Sequence, residues 1–332
     1  MQLQEPQAQV GPVQGQQAQV FLTMFIVSSL VSVEVTPSER HEYRAGLQAT
    51  LERSGCRGNF SVVPTNRRPM TSSTEPVRST SGRIVGRGRI CIWPGGSLWI
   101  GTALRGADLH AHHAIQIPFA LDGEIGFRSA TDAAWTRYRA CMIPPDLPHA
   151  FLASGETVAH VFVDPETAEG HNLRERLAAG VIVPLADPER EKSAAILASA
   201  WAESRECVRL AAAAREVIRL LAGTNARPRA TDPRVLGAIE LIRSRIGGPL
   251  SLTGIARELN ISPSRLRHLF VAEVGLPFRT YVLWQRLHRV FQMAEGETLT
   301  EAALAAGFAD AAHMTRTFRR MLGIAPSSLK LS

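Results

Sequence analysis

His110 and His112 stand one residue apart, Gln116 follows at the same parity, and His149 closes the turn-forming run Pro144-Pro145-Asp146-Leu147-Pro148. On an unbroken strand alternate side chains share a face, so positions 110, 112 and 116 point the same way. A turn that returned His149 beside them would gather three imidazoles and an amide. Such a set can hold a divalent metal, Zn, Fe, Ni or Cu. It can equally hydrogen-bond a small effector in a metal-free pocket, or the histidines can be structural. His113 has the opposite parity and falls outside the set. No carboxylate accompanies the group, so the charge of a bound dication would go unneutralised.

A second set offers different chemistry. Ser264, Arg267 and His268 lie in one helical stretch, and Ala311, Ala312, His313, Thr315 and Arg316 lie in another. An arginine on the early, outward face of a helix that enters the major groove can pair bidentately with guanine O6 and N7, and alanine can meet a thymine methyl. Any surface helix shows an arginine, so these residues mean something only if the surrounding elements are built to present them.

Those elements are written twice. Ala256, Asn260, Ile261, Leu266, Phe270 and Gly275 correspond to Ala303, Gly307, Phe308, Met314, Phe318 and Gly323, offset by 47 residues before a turn and 48 after it. Each copy reads as helix, tight turn, helix: a small alanine permits close approach, Asn or Gly tolerates positive φ at the turn, and apolar residues four apart bury one face. Asp232-Pro233 and Ser262-Pro263 are helix starts, Thr298-x-x-Glu301 is a capping box, and Asp310 can cap the last helix. From Leu299 to Lys330, the residues Ala303, Gly307-Phe308, Asp310, Arg316, Phe318, Gly323 and Pro326 resemble the C-terminal signature of the AraC/XylS family of bacterial transcription regulators. Ser262, Leu266, Phe270 and Gly275 resemble the family's weaker first copy, with Met314 standing where an aromatic or leucine is commoner. The resemblance implies base and backbone contacts to double-stranded DNA at the eight residues of the second set.

The balance of charge is consistent with that partner. The 332 residues carry a formal charge of +7, and residues 232–332 hold 13 Arg or Lys against 8 Asp or Glu, a surplus that favours a polyanion. The four cysteines, Cys56, Cys91, Cys141 and Cys207, fall in no metal-binding spacing, and free thiols in a reducing cytoplasm are the expectation. Residues 1–82 read as a disordered or mis-assigned N-terminal extension, with an internal methionine such as Met70 as the natural start. Its apolar stretch Val20 to Val35 is short of the roughly 20 residues that span a bilayer, so no membrane is expected.

Residues 83–168 carry short apolar runs broken by turns, with Asp122-Gly123 as a hairpin signal. His110, His112, Gln116 and His149 resemble the two metal-binding motifs of the cupins, Gln116 standing in place of a glutamate and Asp146 in place of a glycine. Residues 169–224 are helical, continuous from Pro188 to Ala222, with apolar stripes for the β-rich domain and a second subunit. Residues 225–231 read as a linker and 232–332 as the DNA-binding domain. The expected fold is therefore multidomain α+β: a cupin-like β-barrel, then helices, then an all-α domain with two helix-turn-helix motifs. The expected function is a cytoplasmic, homodimeric transcription regulator, an activator, with a small-molecule effector in the barrel and RNA polymerase as a further partner. A metal-dependent cupin enzyme, a dioxygenase or isomerase, is the alternative; the absence of a P-loop, a GxSxG motif and a dinucleotide fingerprint leaves other enzyme classes little support.

Overall fold

The computed structural model describes residues 84–177, 180–223, 231–293 and 297–331. The expected N-terminal extension, with its Val20 to Val35 stretch, and linker residues 225–230 lie outside the described residues. Among the described residues no helix is long and apolar enough to cross a membrane.

The β-rich part comprises β1 (Gly86–Trp93), β2 (Gly96–Ala103), β3 (Ala107–His110), β4 (Ile115–Ala120), β5 (Ile125–Arg128), β6 (Thr136–Tyr138), β7 (Cys141–Met142), β8 (His149–Leu152) and β9 (Thr157–Val163). Helix α1 (Ala168–Glu175), strand β10 (Val183–Pro184) and helices α2 (Asp187–Glu203) and α3 (Cys207–Ala222) follow. The C-terminal part is α4 (Pro233–Ser244), α5 (Leu252–Glu258), α6 (Pro263–Val274), α7 (Phe278–Met293), α8 (Leu299–Ala305) and α9 (Ala311–Leu322), closed by strand β11 (Leu329–Leu331).

The α+β organisation is as expected, but the strands do not close into a barrel. They form sheets of order β11-β1-β2-β9-β4, β3-β8-β5-β6 and β10-β7, with isolated bridges Gln116↔Ile143 and Phe119↔Ala140 tying β4 to the β7 segment. The Asp122-Gly123 turn is not a hairpin either. It carries the chain from β4, which pairs with β9, to β5, which pairs with β6 and β8 in another sheet. Gly123 takes φ +64° and the Asp122 carboxylate accepts from the Thr157 backbone N–H at 2.8 Å, so the turn chemistry was read correctly and the pairing was not.

Period-2 alternation places the five-stranded sheet between two helical layers. Cys91 and Trp93 of β1 with Ala159, Val161 and Val163 of β9 face α2 and α3, packing on Leu197, Leu210, Ala214, Val217 and Leu221. Ile90 and Ile92 of β1, Trp99 of β2 and Phe162 of β9 face the other way, onto Trp284, Phe291, Leu322 and Ile324 of the C-terminal part. The helix expected from Pro188 to Ala222 is broken at Ser204–Glu206. The apolar stripe of α3 is taken up by the sheet, and its outward residues Arg209, Arg215, Glu216 and Arg219 are exposed.

The free-thiol expectation needs correcting as well. Cys91 and Cys207 are disulfide-bonded across 116 residues with Cα atoms 5.1 Å apart. Cys141 is unbonded and buried, and Cys56 lies outside the described residues. Sequence spacing concealed the pair because β1 and α3 meet only through tertiary packing.

Candidate functional site

The repeated unit is visible in its hydrogen bonds. Ile261 N–H donates to Ala256 O at 3.0 Å and Phe308 N–H to Ala303 O at 2.9 Å; Asn260 N–H donates to Arg257 O at 3.1 Å and Gly307 N–H to Leu304 O at 2.9 Å. Every donor and acceptor in one copy has its counterpart 47 residues on. Asn260 (φ +53°) and Gly307 (φ +87°) make the turn, a left-handed conformation open to these two residue types. Ala256 and Ala303 are fully buried between the helices. Ser262 caps α6 by accepting from Arg265 N–H, and Asp310 caps α9 by accepting from His313 N–H.

These caps set which residues face outward. On α6 Leu266, Phe270 and Val274 are buried, leaving Ser264, Arg267 and His268 exposed. On α9 Met314, Phe318, Met321 and Leu322 are buried. Ala312 and Arg316 are exposed, Ala311 and Thr315 half-buried, and His313 is drawn partly inward, its ring 5.3 Å from Phe308 in edge contact. Arg265, Arg319 and Arg320 are exposed on the same two helices and are not among the sequence candidates, which were the early, outward-facing positions of each helix. Central helix α7, 16 residues and so roughly 24 Å long, separates the two units.

The second candidate group converges although its premise fails. β3 ends at His110 and β4 begins at Ile115, so the strand is broken and shared parity does not place the residues. The intervening loop brings them together: His110, His112 and His149 present nitrogens all within 4.8 Å of one another. Each Nδ1 donates to a backbone carbonyl, His110 to Asp108 O at 2.7 Å, His112 to Ala114 O at 3.0 Å and His149 to Leu147 O at 2.8 Å. That fixes the tautomer of each neutral ring, with the Nε2 lone pair free. Burial pushes His110 down to about 3, His112 to about 4 and His149 well below the usual range, neighbouring imidazoles adding to the first and last. All three are therefore neutral bases at physiological pH.

Gln116 joins them to a residue the sequence reading missed, His160. Its amide lies 2.9 Å from His112 Nε2, 3.0 Å from His149 Nε2 and 2.8 Å from His160 Nδ1. The amide oxygen is turned toward the two imidazoles and the NH2 toward His160; with the amide flipped, the NH2 donates to both imidazoles and the oxygen accepts from His160, which satisfies His112, His149 and His160 without a metal. With its oxygen toward the two imidazoles, lone pairs converge and a cation is needed. Both the metal and the metal-free readings thus have a physical form.

His113, set aside on parity, belongs to another cluster. Its Nε2 is 2.9 Å from Glu166 Oε2. Tyr281 of α7 donates to Glu166 Oε1 at 2.7 Å, Arg243 of α4 to Asp164 Oδ2 at 3.1 Å and Trp284 Nε1 to Asp164 Oδ1 at 3.4 Å. The two carboxylates after β9 thus bind two helices of the C-terminal part. Burial opposes a charged His113 but the Glu166 carboxylate outweighs it, raising its pKa; Asp164 is raised to about 6 by burial and by Glu166.

A cleft of about 770 Å3, including its open mouth, lies against the histidine cluster. Its floor is His110, Gln116 and His160; Trp99 and Phe162 form apolar wall on one side, and Leu322, Ile324 and Leu329 of the C-terminal part form it on the other. Exposed Arg87, Arg105 and Lys330 stand at its rim.

Comparison with known proteins places the duplicated unit in a class. Residues 255–331 match the model of a helix-turn-helix domain. Transcriptional activator RhrA of Rhizobium meliloti (strain 1021) is 32% identical over 112 residues, 32% of this chain and 35% of that protein. The HTH-type transcriptional regulator GlxA of the same organism is 31% identical over 100 residues, 30% of this chain and 31% of that protein. The chain spans about a third of the length of the curated relatives it matches. Among solved structures, an AraC-type DNA-binding transcriptional regulator from Chromobacterium violaceum is 30% identical over 29% of this chain and 87% of that one, with a TM-score of 0.28. ToxT from Vibrio cholerae is 12% identical over 70% and 97%, with a TM-score of 0.45. Residues 255–331 of the C-terminal part are accordingly a helix-turn-helix domain, similar to those of these transcription regulators.

The histidines give a measurable pH dependence. His110, His112, His149, His160 and His288 all have folded pKa values depressed by burial below the 6.5 of an unfolded chain. Between pH 6.5 and about 4 the unfolded state binds protons that the folded state does not, so stability falls as pH falls, by about 1.4 kcal/mol per histidine per pH unit. Asp164, raised to about 6, acts oppositely in this range, whereas the stabilisation from the raised His113 is lost only above pH 6.5. Urea unfolding between pH 6.5 and 5 is expected to show a falling midpoint equivalent to about three protons taken up on unfolding; a flat or rising midpoint would contradict the buried neutral cluster.

Proposed function

We propose that the chain is a sequence-specific DNA-binding transcription regulator, an activator, that responds to a small molecule held in the cleft beside the histidine cluster. The observation that carries this reading is the duplicated helix-turn-helix, which leaves Ser264, Arg267, His268, Ala312 and Arg316 exposed on its two capped helices. Arg267 and Arg316 have no ion-pair partner among the described residues and are the candidates for guanine; Ala311 and Ala312 offer only apolar contact to thymine. RhrA carries the name of an activator, which supports the sign of regulation. We place the protein in the cytoplasm, as a homodimer that works with RNA polymerase.

The cleft supports the effector half of the reading. Its wall includes residues of both parts of the chain, so a bound molecule touches the DNA-binding part only while the two are docked as here. That difference in contact is what an effector needs in order to shift an equilibrium between arrangements. The cupin-like metal reading assigns a divalent ion to His110, His112 and His149, with Gln116 as a fourth donor. Tautomer-fixing backbone carbonyls behind all three rings favour it; the lack of a carboxylate among the donors weighs against it and against a cupin enzyme. Elemental analysis of protein purified without a histidine tag decides, and a metal content far below one per chain rules the ion out.

Selection from random DNA should yield a preferred site. On that site Arg316→Ala is expected to weaken binding by about 1–3 kcal/mol and to relax preference at one base pair. Equal losses on selected and random DNA would make Arg316 a phosphate contact instead, and the absence of any preferred sequence would overturn the function.

A further inference from the structure

We propose that Cys91 and Cys207 form a reversible thiol–disulfide site, opened by low-molecular-weight thiols and closed by hydroperoxides, that sets how firmly α3 is held to the sheet bordering the DNA-binding part. The inference rests on the functional reading above, because a DNA-binding regulator works where thiols keep ordinary disulfides reduced. A bond that forms there is as a rule transient or redox-sensing.

The bond lies at a boundary between core and surface. Cys91 is buried in the middle of β1, and Cys207 is the half-buried first residue of α3. Beside it Val208 is 82% exposed and Arg205 and Glu206 are exposed, so a small thiol approaching this corner meets half-buried Cys207 before buried Cys91. After reduction, Cys207 sits in the first turn of a 16-residue helix, where the helix field favours thiolate. The accessible cysteine is therefore also the one made reactive.

Both directions of the chemistry balance. A thiolate attacks Cys207 Sγ, the S–S bond breaks and Cys91 leaves as thiolate. A second thiolate attacks the mixed disulfide, releasing Cys207 as thiolate and a small-molecule disulfide; any proton the protein thiolates take up comes from solvent. In closure Cys207 thiolate attacks the outer oxygen of a hydroperoxide, giving a sulfenic acid and an alcohol, and Cys91 then displaces water from that sulfur to remake the bond.

The bridged strand is also the one that carries the seam. β1 pairs in parallel with β11 at Gly86–Gly88, and its Ile90 and Ile92 pack on the C-terminal helices. Opening the bond leaves α3 held by its buried face, Leu210, Ala214, Val217 and Leu221, but frees its first turn and the corner at Ser204–Glu206. The bond's consequence is therefore graded, not all-or-none.

The test uses the full chain. After hydroperoxide treatment, alkylation and peptide mapping should find Cys91 and Cys207 blocked and linked. Reduced glutathione at millimolar concentration should then open the bond, lower the Tm by roughly 5–15 °C and change affinity for selected DNA several-fold. A Cys91→Ser, Cys207→Ser double variant should resemble the reduced protein and ignore both reagents. Alkylation of both cysteines after hydroperoxide, survival of the bond in glutathione, or opening that leaves Tm and DNA binding unmoved would each overturn the proposal. Absence of DNA binding in every redox form would instead overturn the function, while bond opening and the Tm shift would still judge the switch.

Discussion

A methyl group added at Gly323 would lie 2.3 Å from the Asp108 carbonyl oxygen and 2.6 Å from His110 Nδ1. The end of the second candidate reading helix and the histidine-bearing strand are thus in backbone contact, reinforced by the Asp108 N–H donating to Gly323 O at 3.0 Å. Six residues later the chain adds β11 to the edge of the five-stranded sheet. The cleft, its histidine floor and the apolar seam all require this docking. Separate the two parts, and the cleft loses one wall while Trp99 and Phe162 lose their cover.

The polar contacts across the seam have a different character from the apolar ones. Asp164 and Glu166 are nearly fully buried and are held by Arg243, Tyr281, Trp284 and His113. Burying such charges costs about as much as their pairing returns, so their main effect is to make one docked geometry better than its neighbours. His112 and His113 are adjacent and face the two clusters separately: His112 meets Gln116 and lies 6.0 Å from the Trp284 ring, while His113 meets Glu166. A change around Gln116 is therefore two residues from the carboxylates that hold α4 and α7.

Much of the C-terminal part was legible because its determinants are local. Caps at Asp232, Ser262, Thr298 and Asp310 are read from a residue and its next three neighbours, and the 47-residue offset fixes the turn through Asn260 and Gly307. The β-rich part was legible only in composition. Strand pairing, the open sheets, the 116-residue Cys91–Cys207 link and the return of β11 to β1 are non-local. His110, His112, Gln116 and His149 could be grouped by residue type, but the strand assumed to align them is broken. His160 is paired across the sheet with Pro118, and parity along one strand cannot reveal it. His113 was dismissed by the same parity, which fails in a loop.

The most direct test of the account compares two glycines at equivalent places in the two copies. Gly275 (φ +89°) and Gly323 (φ +68°) both end their helices left-handed, yet a Cβ at Gly275 would meet nothing within 4 Å. Gly275→Ala and Gly323→Ala therefore share the backbone strain of about 1–2 kcal/mol, and only Gly323→Ala wedges the seam. Amide hydrogen exchange on the full-length variants should show faster exchange at Val85, Gly86 and Asp108 in Gly323→Ala, with Gly275→Ala matching the parent there. Identical protection at those amides in the two variants would contradict a structure organised around the docked seam.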